Sequence, residues 1–325
     1  MPANWPVTNN TPSNLRRVYE SGFPAAPVNP IERDNLFSDG IVKSASHIQH
    51  LASGAGKRAL LWRSREKFDP GAFGQESQTT GDCVSHGDRA ARDTVRCVEM
   101  HIKGEAEEYV ARGATEPTYG YRGHNGAGMD PGRAARYVTN NGFMIRQDYP
   151  GCVNLSKYNS NTGSRWGRSG PPSCVNEACK AHPVGEYVMP DSADEAMSLF
   201  ANGYACHSGQ NVGFSTNANS RGIHDRKGSW NHDMATLGYD DTKEIWQERV
   251  YFVVNSWGAW NNQWGKWIED RDLQSILGPP IDGMIVVSAS VWERYFLDGQ
   301  SIYFYSNIKG YPAQNLPNYG TSAFL

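Results

Sequence analysis

A stretch of helix-patterned sequence followed by a stretch of strand-patterned sequence predicts an α+β fold for this chain of 325 residues. Between Gly81 and Gly203 the apolar residues keep helical spacing. Beyond Gly203 short runs rich in Val, Ile and aromatics alternate with Gly, Asp and Asn, which is the texture of strands and turns. No repeat, heptad or basic run interrupts this order, so a mostly helical half packed against a sheet half is expected, with a cleft between them. In chain order, a short helix is expected around Ile48–Trp62. The best helix starts after Asp82, a capping residue, and places Val84, Ala91, Val95, Val98 and Ile102 on one face with hydrophilic residues between them. A second helix is bracketed by Asp130–Pro131 and Gly142, and a third runs near Ser192–Ala201 until Gly203 stops it. Strands are expected at Tyr204–Ser208, Asp233–Tyr239, Arg249–Asn255 and Met284–Ser288.

Composition limits what such a fold does. Thirty-one Lys and Arg against 34 Asp and Glu give a net charge of −3, too balanced for a polyanion binder, so nucleic acid is not the expected partner. Hydrophobic residues make up 38% and aromatics 11%, with a mean hydropathy of −0.62, which fits one domain with extensions. No segment has the roughly 18 apolar residues needed to span a bilayer, and MPANWPVTNN does not read as a secretory signal, so no membrane is expected and the protein is expected to be non-secreted, cytoplasmic or particle-associated. Six cysteines are few for this length, and a disulfide framework is not the default.

Three stretches carry chemistry: QTTGDCVSHG (Gln78–Gly87), WNHDMATLGYD (Trp230–Asp240) and VYFVVNSWG (Val250–Gly258). Cys83 stands at the start of the strongest helix, where unpaired N–H groups and the helix dipole favour a thiolate. His232 begins a strand and Asn255 ends the next. A nucleophilic thiol needs a base, and the base needs a third group to fix its ring, so these are the residue types required.

On these residues the chain resembles the papain-like cysteine peptidases. Gln78 precedes Cys83, the intervals Cys83–His232 and His232–Asn255 are 149 and 23 residues, Gly123–Pro150 resembles the substrate loop and following helix of the family, and NHDMATLGYD and NSWG resemble its histidine strand and asparagine motif. The resemblance covers roughly residues 75–290 and implies a papain-like two-lobed fold, with a helical N-terminal lobe around a central nucleophile helix, a C-terminal antiparallel β lobe and the active-site cleft between them. Residues 1–74 are then an N-terminal Pro/Asn-rich arm with no recognisable pro-segment, and 291–325 a Tyr-rich C-terminal extension.

The resemblance also implies roles. Cys83 attacks the scissile carbonyl of a peptide or protein substrate, His232 pairs with the thiolate and then protonates the leaving amine, Asn255 orients His232, and Trp257 shields that bond. The Cys83 N–H and the Gln78 side chain form the oxyanion hole, with Gln75 as a competitor for the second position because Gln78 lies five residues before Cys83 where the family has six. Gly126 and Gly128 let a substrate backbone approach, while Trp230, Asn231 and Asp233 flank the specificity pocket, where Asp233 favours a basic side chain. No cofactor and no metal are called for.

This sequence also departs from the family. Val84 replaces the tryptophan that follows the nucleophile, and the charge of Asp82 opposes the thiolate. Thr80 and His124 stand where the family has a disulfide pair, which points to a reducing context. Cys152, Cys174, Cys179 and His182 are compatible with a zinc site, and more simply with a local disulfide or free thiols. The cluster Trp257, Trp260, Trp264 and Trp267 is expected to be active-site wall and core before it is a carbohydrate platform. Two other readings stay open: a papain-like domain serving as a structural component, for example of a virus particle, with assembly partners bound through the two arms; and the same triad acting on non-protein amides or esters.

Overall fold

The structure, a computed structural model, describes residues 43–44, 51–70, 76–105, 107–261, 271–278, 282–298 and 301–309. Its centre is an eight-stranded sheet. Strands β1 (Lys43–Ser44), β5 (Val184–Met189), β10 (Ile302–Ile308), β6 (Cys206–Asn211), β7 (Asn231–Asp240), β8 (Val250–Val254) and β9 (Met284–Ser288) lie side by side in that order, and β2 (Arg58–Leu60) pairs with β7. All of these pairings are antiparallel except that of β1 with β5. A small separate hairpin is made of β3 (Asp148–Tyr149) and β4 (Val153–Asn154). The α+β class predicted from the sequence is the one observed.

Helix α2 (Cys83–His101) packs on β7, β10 and β6, with α1 (Trp62–Phe68) and α4 (Pro131–Asn141) against its other sides. The helix after Asp130 is capped as its sequence predicts: the Asp130 carboxylate accepts from the Arg133 N–H at 2.7 Å, Pro131 opens the first turn, and Gly142 ends the helix at φ 79°. Ser192 caps α7 (Ala193–Ala201) in the same way, accepting from the Glu195 N–H.

Four expectations are corrected. First, α2 has no solvated face: every residue from Cys83 to Met100 is buried, including the charged ones. Its hydrophilic positions are occupied by buried ion pairs, Arg92 with Asp88 at 2.7 Å, Arg89 with Glu76 at 2.6 Å and Arg65 of α1 with Asp93 at 3.5 Å. Others bind backbone: Asp93 accepts from the Gly113 N–H, and Glu99 accepts from the N–H groups of Asn307 and Ile308. Such groups are costly to desolvate and act chiefly by fixing which segment packs where. Secondly, Asp82 precedes α2 without a side-chain cap bond; its carboxylate accepts from the Tyr158 hydroxyl instead.

Thirdly, residues 291–325 are not simply an extension. Ile302–Ile308 forms the strand between β5 and β6, and Ile302, Tyr303, Phe304, Tyr305 and Ile308 are all in the core. Residues before 75 likewise enter the fold through β2 and α1, with Trp62 fully buried against Phe252. Fourthly, the described part of the helix expected around Ile48–Trp62 is instead loop and turn over 51–57 and strand β2 over Arg58–Leu60, with α1 starting only at Trp62.

Candidate active site

Cys83 is the first residue of α2, so its sulfur lies where the helix leaves N–H groups unpaired. The helix that Cys83 starts packs on β7, the strand that carries His232. Cys83 as a residue is 9% exposed. Burial pushes its pKa up, and the carboxylates of Asp233 and Asp82 add to that push, against the two backbone N–H groups of Asp233 and Val84 that favour the thiolate; the result is about 12. The opposition expected from Asp82 is therefore joined by a second carboxylate.

His232, fully buried on β7, has its Nε2 at 2.8 Å from Asn255 Oδ1. Asn255 follows the last residue of β8, and its Oδ1 also accepts from the Ser256 N–H at 2.7 Å, so the oxygen faces the imidazole and Nε2 is the donor. The proton-accepting nitrogen of the neutral ring is then Nδ1. Trp257 stacks on the imidazole with centroids 4.6 Å apart and planes 28° from parallel, and Trp230 and Trp260 pack behind Trp257. Burial drives the pKa of His232 down to about 4; the Asn255 hydrogen bond counters it, and nearby His86 adds to the lowering. Both shifts favour neutral thiol and neutral imidazole at rest, in place of the ion pair that the resemblance implies.

Gln78 is buried beside this group and ties two loops together. Its N–H donates to Ser256 O at 2.8 Å, its Nε2 donates to Thr80 O at 2.8 Å, and its Oε1 accepts from the Ser256 hydroxyl. One amide hydrogen of Gln78 is thus engaged by Thr80 next to the nucleophile turn. The competitor, Gln75, lies outside the described residues, as do Trp264 and Trp267. The Gly128 N–H donates to Gly81 O at 2.8 Å, which ties the glycine loop to the turn before Cys83. Gly126 is exposed in the same loop, and its carbonyl accepts from Arg122 Nε at 2.8 Å.

The expected pocket residues behave differently. Trp230 is buried among Trp257, Trp260 and Phe214, and Asn231 is half-buried at the end of β7 opposite Asn211. Asp233 does not offer a carboxylate to a basic substrate side chain. It is 1% exposed and bonded to His207 Nδ1 at 3.0 Å, because alternation along β7 turns it into the layer between sheet and helix. An open cavity of about 680 Å³ is lined by Phe68, Tyr109, Arg112, Arg146 and Tyr158, and includes neither Cys83 nor His232.

Sequence reasoning missed the polar groups that surround the site. His207 joins Asp233 to the Tyr305 hydroxyl at 3.0 Å, and that hydroxyl donates to Asp88 Oδ1 at 2.7 Å. Tyr158, not singled out either, bonds Asp82. These links cross long sequence separations, and no local pattern marks them. Elsewhere Cys152 and Cys174 form a disulfide, with Cα atoms 5.8 Å apart, which removes two donors of the zinc alternative. It also runs against the reducing context inferred from Thr80 and His124. Cys97, Cys179 and Cys206 are buried free thiols. No helix among the described residues is long and apolar enough to cross a membrane.

No family model and no curated protein matches the chain. Solved structures do. Xylellain, a cysteine protease from Xylella fastidiosa, is 13% identical over 78% of this chain and 85% of its own, with a TM-score of 0.47. Digestive procathepsin L 3 from the larval midgut of Tenebrio molitor is 14% identical over 82% and 73%, with a TM-score of 0.43. Procathepsin B S9 from Trypanosoma congolense is 12% identical over 87% and 100%, also with a TM-score of 0.43. At such identities and scores, the reading of the site rests on this chain's own residues.

Proposed function

We propose that the chain is a papain-like thiol hydrolase that cleaves peptide bonds through an acyl-enzyme on Cys83. The observation that carries this reading is the assembly of three distant segments: a helix-starting thiol, the histidine strand β7 on which that helix packs, and the His232–Asn255 bond under Trp257. With Nε2 held by Asn255, His232 Nδ1 takes the thiol proton as the sulfur attacks the carbonyl carbon. The oxyanion that forms is met by the Cys83 N–H at the start of the helix and by the Gln78 amide. Collapse of this intermediate breaks the C–N bond, and the imidazolium returns its proton to the leaving amine. Water, deprotonated by the same ring, then attacks the thioester and frees the acid. Because burial favours the neutral pair at rest, proton transfer belongs to the attack step, when the developing charge on sulfur is used as it forms.

The test is Cys83→Ala, which deletes the sulfur and leaves a helix-compatible residue. Peptide hydrolysis and covalent labelling by a thiol-directed epoxide are both expected to vanish, with the circular dichroism spectrum unchanged. Labelling that persists in the variant would overturn the assignment.

A further inference from the structure

Residues 152–174 form a loop closed by the Cys152–Cys174 disulfide, with its ends in the β3–β4 hairpin and in the helix Ser173–Cys179. Little apolar burial holds the chain between them. From Ser156 to Pro172 the buried residues are Thr162, Gly163, Gly167 and Pro171, while Tyr158 and Trp166 are half-buried. A segment of this kind opens locally at low cost unless other bonds retain it.

The hydrogen bonds of this segment converge on the site. The Tyr158 hydroxyl accepts from the Thr79 N–H at 3.1 Å and donates to Asp82 Oδ2 at 2.7 Å, so one phenol spans the turn that leads into Cys83. Farther along, the segment binds the glycine loop. Gly167 O accepts from the Gly123 N–H at 3.2 Å, and the Arg168 N–H donates to Asn125 Oδ1 at 3.2 Å. Arg122, 4% exposed, donates to Gly163 O at 3.0 Å and to Ser164 O at 2.9 Å, while its Nε holds Gly126 O. A Cβ added at Gly167 would lie 2.8 Å from His124 O, so the two backbones meet without a side chain between them. The bond that closes the loop is within reach of solvent: Cys174 is exposed and Cys152 half-buried. Exposed disulfides are the ones most readily opened by thiolates.

We propose that the Cys152–Cys174 loop is a redox-opened clamp on the site: closed, it seats Tyr158 on the turn before Cys83 and Gly163–Arg168 on the glycine loop, and reduction by an external dithiol releases both. In the exchange, the two sulfurs of the dithiol lose two protons and two electrons and become a disulfide, while Cys152 and Cys174 become thiols. Tyr158 is the positioning residue of the clamp. That role for Tyr158 rests on Cys83 being the reactive thiol; the clamp itself does not.

The experiment follows hydrogen–deuterium exchange by mass spectrometry in the full chain, at labelling times over which β7 stays protected in oxidised wild type. Peptides spanning Thr79 and Gly123 are expected to exchange about fivefold faster once dithiothreitol has opened the bond, the protection of one hydrogen bond being lost at each. Cys152→Ser/Cys174→Ser is expected to do the same without reductant. Tyr158→Phe, with the bond intact, is expected to speed the Thr79 peptide alone, and reduction then adds nothing there. If the double-serine variant does not fold, judged by circular dichroism, reduced wild type and Tyr158→Phe carry the same expectations. Unchanged exchange at Thr79 and Gly123 on reduction overturns the proposal. So does loss of protection in β7 together with them, because the bond would then hold the whole domain. Tyr158→Phe is also expected to lower kcat about tenfold with KM within about twofold of wild type, and an unchanged kcat overturns the positioning role. If wild type hydrolyses no peptide, the peptidase reading fails and exchange still decides the clamp; hydrolysis with unmoved exchange gives the reverse.

Discussion

Deleting everything after Gln300 is expected to prevent folding, although this region reads from sequence as an appendage. The deletion removes β10 from between β5 and β6, leaving two facing strand edges without their partner. It also exposes what the strand covers. Ile302, Tyr303, Phe304, Tyr305 and Ile308 are each at most 1% exposed, and burial of one such side chain contributes about 1.5–3 kcal/mol. The loss is of the same size as the whole stability of an ordinary domain, about 5–15 kcal/mol. In addition, Glu99 loses the Asn307 and Ile308 N–H groups and Asp88 loses Tyr305, so buried carboxylates on α2 are stripped of donors. A milder version is Phe304→Ala, for which about 3–5 kcal/mol is expected. Urea unfolding followed by tryptophan fluorescence measures both. A truncated chain that unfolds cooperatively with wild-type midpoint, or Phe304→Ala within about 0.5 kcal/mol of wild type, would refute the placement of β10 in the core.

Two further outcomes follow from the buried charges and the covalent link. Burial holds His224 neutral, with its pKa lowered from an ordinary 6.5 to about 4 despite its hydrogen bonding with Asn261, so the unfolded chain binds a proton there that the folded chain does not. Stability from this residue is therefore complete above about pH 6.5 and lost as pH falls toward 4. Accordingly, His224→Gln is expected to lose less stability than wild type over that interval, by up to about 3 kcal/mol, in denaturant titrations at the two pH values. An equal loss in both proteins would count against a neutral buried imidazole. Reduction of Cys152–Cys174, whose cysteines are 22 residues apart, is expected to cost about 3 kcal/mol by the loop-entropy relation, read as a lowered melting midpoint with reductant that Cys152→Ser/Cys174→Ser reproduces without it. A melting midpoint indifferent to reductant would show the link to be absent.

Where the sequence was legible, the signal was local. Asp130–Pro131 and Gly142 delimit their helix because capping and left-handed backbone are decided within a few residues. Met284–Ser288 is a strand over the residues expected, and Cys83, His232 and Asn255 are marked by the residues that flank them in the chain. The run of Ile, Tyr and Phe in Ile302–Ile308 is also strand-like, but the resemblance ends near residue 290 and nothing local says which strands this one joins.

The sequence by itself determined the residue types of the site, the order of helices before strands and the helix that starts at the cysteine. The tertiary structure decided the surroundings of that cysteine. Burial and two carboxylates favour the thiol, and burial favours neutral His232, because desolvation depends on everything packed around a group and not on its neighbours in the chain. It also decided that Asp233 points into the layer between sheet and helix, where a histidine 26 residues earlier and a glycine on α2 receive it. A polar residue in a strand is ordinarily read as solvated, and only the helix covering that face of β7 buries this one.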